Sequence, residues 1–230
     1  MKHIRKEGKY IMENYKKVSK NKIDYTLYLV TDRELLNNRS LEIAVEEAIL
    51  GGVTLVQLRE KDIDTREFYE TAVKIKKITD KYNVPLIIND RADIALAIDA
   101  EGVHVGQSDM EAKIVRKLIG KEKLLGVSAR TLEEAIEAER QGADYLGVGA
   151  IFGTTTKKDA KNVSLEELKN IRNKVNIPIV AIGGISENNV SELKNKGIQG
   201  IAVISAILAK QDIKKASKNI KQIFIQSSEI

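Results

Sequence analysis

The chain's 230 residues fit one large domain or two small ones, 43 % of them are hydrophobic, and the absence of cysteine rules out a disulfide framework or a thiolate metal site. No apolar run reaches the roughly 18 residues that cross a membrane, and the N-terminus lacks the apolar core of a secretion signal. The formal charge of +5 resides wholly in residues 1–24, which hold eight Lys or Arg against three Asp or Glu, so the body of the chain is neutral and, at 4 % aromatic, gives no sign of a nucleic-acid surface.

Residues 1–24 read as a basic, solvated extension; the spacing of Tyr10, Ile11, Tyr15 and Val18 also allows a short amphipathic helix docked on the body. Glu7 and Glu13 argue against an import peptide. Residues 25–30 then form a first predicted strand, 41–50 a helix closed by Gly51-Gly52, and 53–58 a second strand. Phe68, Ala72, Ile75, Ile78 and Tyr82 recur every three or four residues and predict a helix over 65–82. A third strand (84–88), a short helix (92–98), a fourth strand (102–105), a helix (111–119) and a fifth strand (124–127) follow. Thr131-Leu-Glu-Glu134 and Ser164-Leu-Glu-Glu167 have the pattern of capping boxes that open helices after the fifth and sixth strands, the sixth running over 145–151. Strand seven (177–182), a helix (187–196) and strand eight (200–204) complete the series, and Ile213, Ala216, Ile220, Ile223 and Phe224 predict a C-terminal packing helix. The strands are continuous apolar runs, as in a parallel sheet buried on both faces. Eight of them alternating with helices predict a single (β/α)8 TIM barrel over 25–226 after the N-terminal extension, with a doubly wound open sheet as the alternative.

In such a barrel chemistry gathers where strands end. Strand two ends in Gln57-Leu58-Arg59-Glu60-Lys61; if the strand runs on, the amide, guanidinium and ammonium of Gln57, Arg59 and Lys61 share one face and suit a diphosphate. A salt-bridged surface turn explains the same residues. Strand three ends in Asn89-Asp90 and strand four in Gly106-Gln107-Ser108-Asp109; the two carboxylates with substrate phosphates would make an Mg2+ site, whereas helix capping is the simpler role for either alone. Ser128 ends strand five as a hydroxyl donor or a turn residue. His104, inside strand four, reads as a packed structural histidine. After strand six, Gly153-Thr-Thr-Thr-Lys157 offers hydroxyls, a glycine amide and a cation to a phosphate ester, and Gly184 and Ser205 follow strands seven and eight, where this barrel commonly binds phosphate. No set of residues for a side-chain nucleophile and no HExxH pattern is present. Two anion sites without an obvious base suggest a transferase with a diphosphate leaving group.

Tyr28-Leu-Val-Thr-Asp32, Gln57-Leu-Arg-Glu-Lys61, Asn89-Asp90, Gly102-Val-His-Val-Gly-Gln107, Thr154-Thr-Thr-Lys-Lys-Asp-Ala160 and Ala181-Ile-Gly-Gly-Ile185 together resemble the thiamine-phosphate synthase family over about residues 25–208. The resemblance implies transfer of a hydroxymethylpyrimidine diphosphate to a thiazole phosphate by a dissociative route in the cytoplasm, with small-molecule substrates, Mg2+, and neither nucleic acid nor membrane as partner; a monomer and a small homo-oligomer both remain open. It implies that Gln57, Leu58, Arg59, Glu60, Lys61, Asn89, Ser128 and Lys157 contact the pyrimidine diphosphate, with Arg59, Lys61, Ser128 and Lys157 catalytic. It further implies that Asp90 and Asp109 hold Mg2+, and that Thr154, Thr155, Thr156, Gly184, Ile204 and Ser205 hold the thiazole phosphate. Ala150 and Gly153 stand where that family frequently has proline, and the glycine is expected to loosen the loop. The related thiazole tautomerase and a non-catalytic thiamine-phosphate sensor are the competing readings.

Overall fold

The computed structural model describes residues 20–153 and 162–226. The amphipathic reading of Tyr10 to Val18 and the threonine-lysine loop from Thr154 to Lys157 lie outside the described residues. Eight strands, β1 (Leu27–Val30), β2 (Leu55–Leu58), β3 (Leu86–Asn89), β4 (Gly102–Val105), β5 (Leu124–Ala129), β6 (Tyr145–Val148), β7 (Ile179–Ile182) and β8 (Gly200–Val203), pair in chain order, all parallel, and β8 closes on β1. The barrel is the predicted one; the open sheet is not formed. Around it run α1 (Leu41–Leu50), α2 (Thr65–Lys81), α3 (Ala92–Ala97), α4 (Ala112–Ile119), α5 (Leu132–Arg140), α6 (Leu165–Arg172), the short α7 (Ser205–Leu208) and α8 (Ile213–Gln226).

Strand residues alternate between two cores. Leu27, Leu29, Val56, Leu58, Leu86 and Ile88 join the helices in an outer layer, whereas Tyr28, Leu55, Ile87, Leu124, Tyr145, Val180 and Ala202 fill the barrel. Helix α8 buries Ile213, Ala216, Ile220 and Phe224. Gly51 lets it approach α1, because a Cβ there would collide with the Lys214 carbonyl.

Three expectations need correction. Strand β2 stops at Leu58, so Arg59 and Lys61 extend from a loop rather than from a continued strand. The helix expected over 187–196 is a single 3-10 turn, Val190–Leu193. The Asn189 side chain accepts from the Ser186 amide at 2.8 Å and donates to the Gly184 carbonyl at 2.9 Å, which offers this backbone an alternative to helical bonding. The two capping boxes are half formed. Thr131 and Ser164 accept from the amides of Glu134 and Glu167, but those glutamates do not return the bond to their own caps. Glu134 accepts from the Arg130 amide at 2.6 Å and Glu167 from the Leu132 amide at 2.8 Å, so the second carboxylate ties α6 to the first turn of α5.

Residues 20–24 lie at the N-terminal mouth of the barrel. There Lys20, Lys22, Ile23, Tyr25, Leu124, Asp144, Pro178 and Gln199 line a cavity of about 600 Å³. Lys20 pairs with Asp144 at 2.6 Å. Asp144 also accepts from Arg116 at 2.5 Å and from the Leu125 amide at 2.8 Å. Of the polar residues singled out after a strand, those among the described residues are at the other mouth.

Candidate active site

The inward parity that fills the barrel with tyrosines and aliphatics becomes polar toward the C-terminal mouth. Gln57, Asn89 and His104 are all buried there, and Ser128 is half-buried. Gln57 Nε2 donates to the Tyr28 hydroxyl at 2.8 Å, that hydroxyl meets Tyr145 Oη at 2.9 Å, Tyr145 meets His104 Nδ1 at 3.1 Å, and His104 Nε2 meets Ser128 Oγ at 2.9 Å. His104 is thus packed, as expected, but it also bonds a residue expected in the site. Burial raises the Tyr28 and Tyr145 phenols well above the ordinary range, so both keep their protons at any physiological pH.

Around this floor stand the cations. Arg59 is held at its backbone by Thr31, whose hydroxyl accepts from the Arg59 amide at 2.9 Å. Its side chain is only 13 % exposed and reaches Asp32 at 3.7 Å. Its Nε is buried with no hydrogen-bond partner among the described residues. A buried guanidinium N–H without an acceptor is costly unless a ligand supplies one. Glu60 turns away to take both oxygens to Arg33 Nε, at 2.8 and 2.9 Å. Burial raises its carboxyl above the usual range, the Arg33 contact opposing. A salt-bridged turn among residues 59–62 explains neither charge, since Glu60 pairs with Arg33 and Arg59 reaches Asp32. Leu58 is fully buried in the outer layer, so it can offer the site only its main chain. Lys61 is exposed, and with Glu60, Ile63, Phe68, Asn89, Asp90 and Arg91 it lines a cleft of about 240 Å³.

The two aspartates do not cap helices. The N-cap of α3 is Arg91 and that of α4 is Glu111. Asp90 has a left-handed backbone (φ +61°), its amide donates to the His104 carbonyl at 2.9 Å, and its carboxylate accepts from Asn89 at 2.6 Å. Asp109 folds back to accept from the Gly106 amide at 2.8 Å. Two carboxylates after neighbouring strands fit Mg2+, which takes one or two protein oxygens plus substrate phosphates. Among the described residues no three His, Cys, Asp or Glu gather into a metal site.

The loops after β6 and β7, where a second anion site is expected, meet through their backbones. The Ile151 and Phe152 amides donate to the carbonyls of Ile182 and Gly183, each at 3.0 Å. Gly184 (φ +67°) lies against the Phe152 and Gly153 carbonyls so closely that a Cβ would overlap them. Its glycine is needed for this contact, beyond permitting a turn. Gly153 itself has φ +72°, a value closed to proline, so this loop leaves β6 differently from one with proline there. Ile204 packs at the edge of the barrel core, and Ser205 is exposed at the start of α7.

A model of the thiamine monophosphate synthase family matches residues 27–207. The chain belongs to the thiamine monophosphate synthase family. Thiamine-phosphate synthase of Clostridium tetani is 65 % identical over 88 % of this chain and 97 % of its own length. That of Clostridium beijerinckii is 61 % identical over 90 % of this chain and 99 % of its own. The structure of thiamine phosphate pyrophosphorylase from Pyrococcus furiosus superposes with a TM-score of 0.83 at 40 % identity, covering 89 % of this chain and 98 % of that one. Membership of the thiamine monophosphate synthase family makes the chain a transferase of thiamine biosynthesis. Among the described residues no helix is long and apolar enough to cross a membrane. Residues missed on the sequence alone are Asp32, Tyr28 and Tyr145. Tyr28 and Asp32 stood in the sequence only as parts of a family motif with no role given to either, and Tyr145 read as a strand residue.

Proposed function

We propose that this chain joins an aminopyrimidine methyl diphosphate to a thiazole ethyl phosphate, releasing diphosphate and forming thiamine phosphate. The supporting observation is the buried Arg59 Nε that lacks an acceptor beside the Lys61–Asp90 cleft. A diphosphate oxygen completes it. In the reaction the bond from the pyrimidine methylene carbon to the diphosphate oxygen breaks, and its electron pair leaves with diphosphate. The thiazole nitrogen then gives its lone pair to that carbon, and no proton needs to be transferred. A site with cations and hydrogen-bond donors but no paired base and nucleophile suits this chemistry.

Arg59, Lys61 and Lys157 carry the positive charge that stabilises the departing diphosphate. Gln57, Asn89 and Ser128 fix the pyrimidine and the near phosphate, with the Leu58 and Glu60 main chain at the rim. Asp90 and Asp109 would hold Mg2+, which would supply further positive charge to the diphosphate leaving group. Thr154, Thr155, Thr156, Gly184, Ile204 and Ser205 seat the thiazole phosphate. The catalytic domain is residues 25–226, residues 1–24 are an extension whose last residues, 20–24, rest against the N-terminal mouth of the barrel, and the reaction belongs in the cytoplasm.

The test is product formation from the two purified substrates with and without Mg2+, in the wild type and in Asp90→Asn and Asp109→Asn. Metal-dependent product with a raised Mg2+ requirement in both variants is expected. No product from folded protein would shift the reading to the tautomerase, and an unchanged Mg2+ requirement would remove the aspartates as ligands.

A further inference from the structure

The hydrogen-bonded series Gln57–Tyr28–Tyr145–His104–Ser128 crosses the barrel from β2 to β5 and joins two residues assigned to the substrate. Its direction follows from counting donors. Gln57 Nε2 can only donate, so the Tyr28 oxygen accepts there. Tyr28 is 2 % exposed, and its hydroxyl has one other partner within reach among the described residues, Tyr145 Oη at 2.9 Å. If Tyr145 donated to Tyr28, the Tyr28 proton would be buried without an acceptor, an arrangement native interiors avoid. Tyr28 therefore donates to Tyr145, and Tyr145 donates to His104 Nδ1. The imidazole must then carry its proton on Nε2 and donate it to Ser128 Oγ, 2.9 Å away. The Ser128 hydroxyl proton is left over for another acceptor.

The surrounding backbone is cut to fit this series. Register pairs His104 with Gly126 and Gly126 with Tyr145. A Cβ at Gly126 would run into the Tyr145 hydroxyl and His104 Nδ1. A Cβ at Gly147 would come within 3.0 Å of His104 Cε1. Tyr145 is wedged between rings, with centroids 5.1 Å from Tyr25, 6.1 Å from Tyr28 and 5.6 Å from His104, so its hydroxyl cannot swing away.

We infer that Tyr28, Tyr145 and His104 are positioning residues that fix the His104 tautomer and so make Ser128 a committed hydrogen-bond donor to an acceptor on the bound substrate. The inference rests on the proposed role of Ser128. The series leaves that hydroxyl one direction to serve, instead of letting its proton be spent on the imidazole. Rate suffers more than ground-state binding when the donor is lost, because charge on the leaving group grows as the bond breaks.

The chain has two histidines, His3 and His104, so nitrogen NMR on histidine-labelled full-length protein reads the tautomer directly. The Nε2–H form is expected for His104 in the wild type, and a mixture or the Nδ1–H form in Tyr145→Phe, which keeps the ring but deletes both bonds. In steady-state assays Tyr145→Phe should lower kcat about tenfold, with KM for the pyrimidine diphosphate changed less than about twofold. In a Ser128→Ala background the same substitution should add almost nothing. Tyr28→Phe, which removes the donor one step earlier, should give a smaller fall in the same direction. An Nδ1–H tautomer in the wild type would overturn the direction of the series. A kcat loss that multiplies with that of Ser128→Ala would reduce the tyrosines to packing. Ser128→Ala with full turnover while the Nε2–H tautomer persists would remove the site role of Ser128 and leave the series purely structural.

Discussion

Arg59 and Glu60 are adjacent charges with opposite fates. Glu60 is satisfied by Arg33, whereas Arg59 keeps one long contact to Asp32 and leaves its buried Nε without a hydrogen bond among the described residues. A lysine at position 59 would keep the charge but replace the planar fork of N–H groups with a single ammonium. Arg59→Lys is therefore expected to fold normally and to lose about a hundredfold in kcat/KM for the pyrimidine diphosphate, as for deletion of one preorganised donor. The thiazole phosphate KM should stay within about twofold of wild type. Steady-state kinetics with each substrate varied in turn checks this. An equal loss toward both substrates would place Arg59 outside the diphosphate subsite. Arginine and lysine near a strand end were legible in the sequence as anion ligands. Their different surroundings were not, because Thr31 and Asp32 come from the neighbouring strand end, reached only when β1 and β2 pair.

The loops after β6 and β7 form one device, since two amides of the first bond carbonyls at the end of the second and Gly184 fills the space between them. Gly184→Ala meets two costs at once, a left-handed φ and overlap with the Gly153 carbonyl. It is expected to raise the thiazole phosphate KM about tenfold or more, to leave the pyrimidine diphosphate KM nearly unchanged, and to lower the melting temperature by a few degrees. A variant with both constants intact would show that the second anion site does not depend on this contact. The glycines were visible in the sequence as turn formers, but the partner loop was not, for the approach is between backbones that carry no side-chain signal. The elements were most legible where apolar periodicity was strong, as in α2. They were least legible where side chains bind nearby backbone, as Asn189 does in the turn that replaced a helix, and where a capping glutamate finds a better partner on the next helix. The parity of strand residues marked Gln57 only as sharing a face with Arg59 and Lys61. It could not reveal the series that ends at Ser128, because each link in it crosses strands.

Over the whole molecule, the aromatic centre of the barrel links stability to pH. Tyr25, Tyr28 and Tyr145 all have phenols raised above their ordinary value chiefly by burial, and Asp144 raises two of them further. In the unfolded chain such phenols ionise near pH 10. Below that pH both states hold the protons, and these groups make stability no different. Above it the unfolded state releases protons that the folded state retains, so stability falls as pH rises from about 10 toward the folded values. The melting temperature should therefore drop steeply through that range. Tyrosinate absorbance should show Tyr25, Tyr28 and Tyr145, of seven tyrosines in the chain, ionising only as the fold is lost. Lysines titrate in the same interval, so the comparison that isolates the effect is Tyr145→Phe. One retained proton fewer should make its decline with pH shallower than that of the wild type, whatever its stability at neutral pH. Full tyrosinate absorbance while the circular dichroism remains native would show the phenols open to water. The same burial that creates this alkaline weakness keeps the hydroxyls protonated at working pH, so that each can be both acceptor and donor in the series beneath the site.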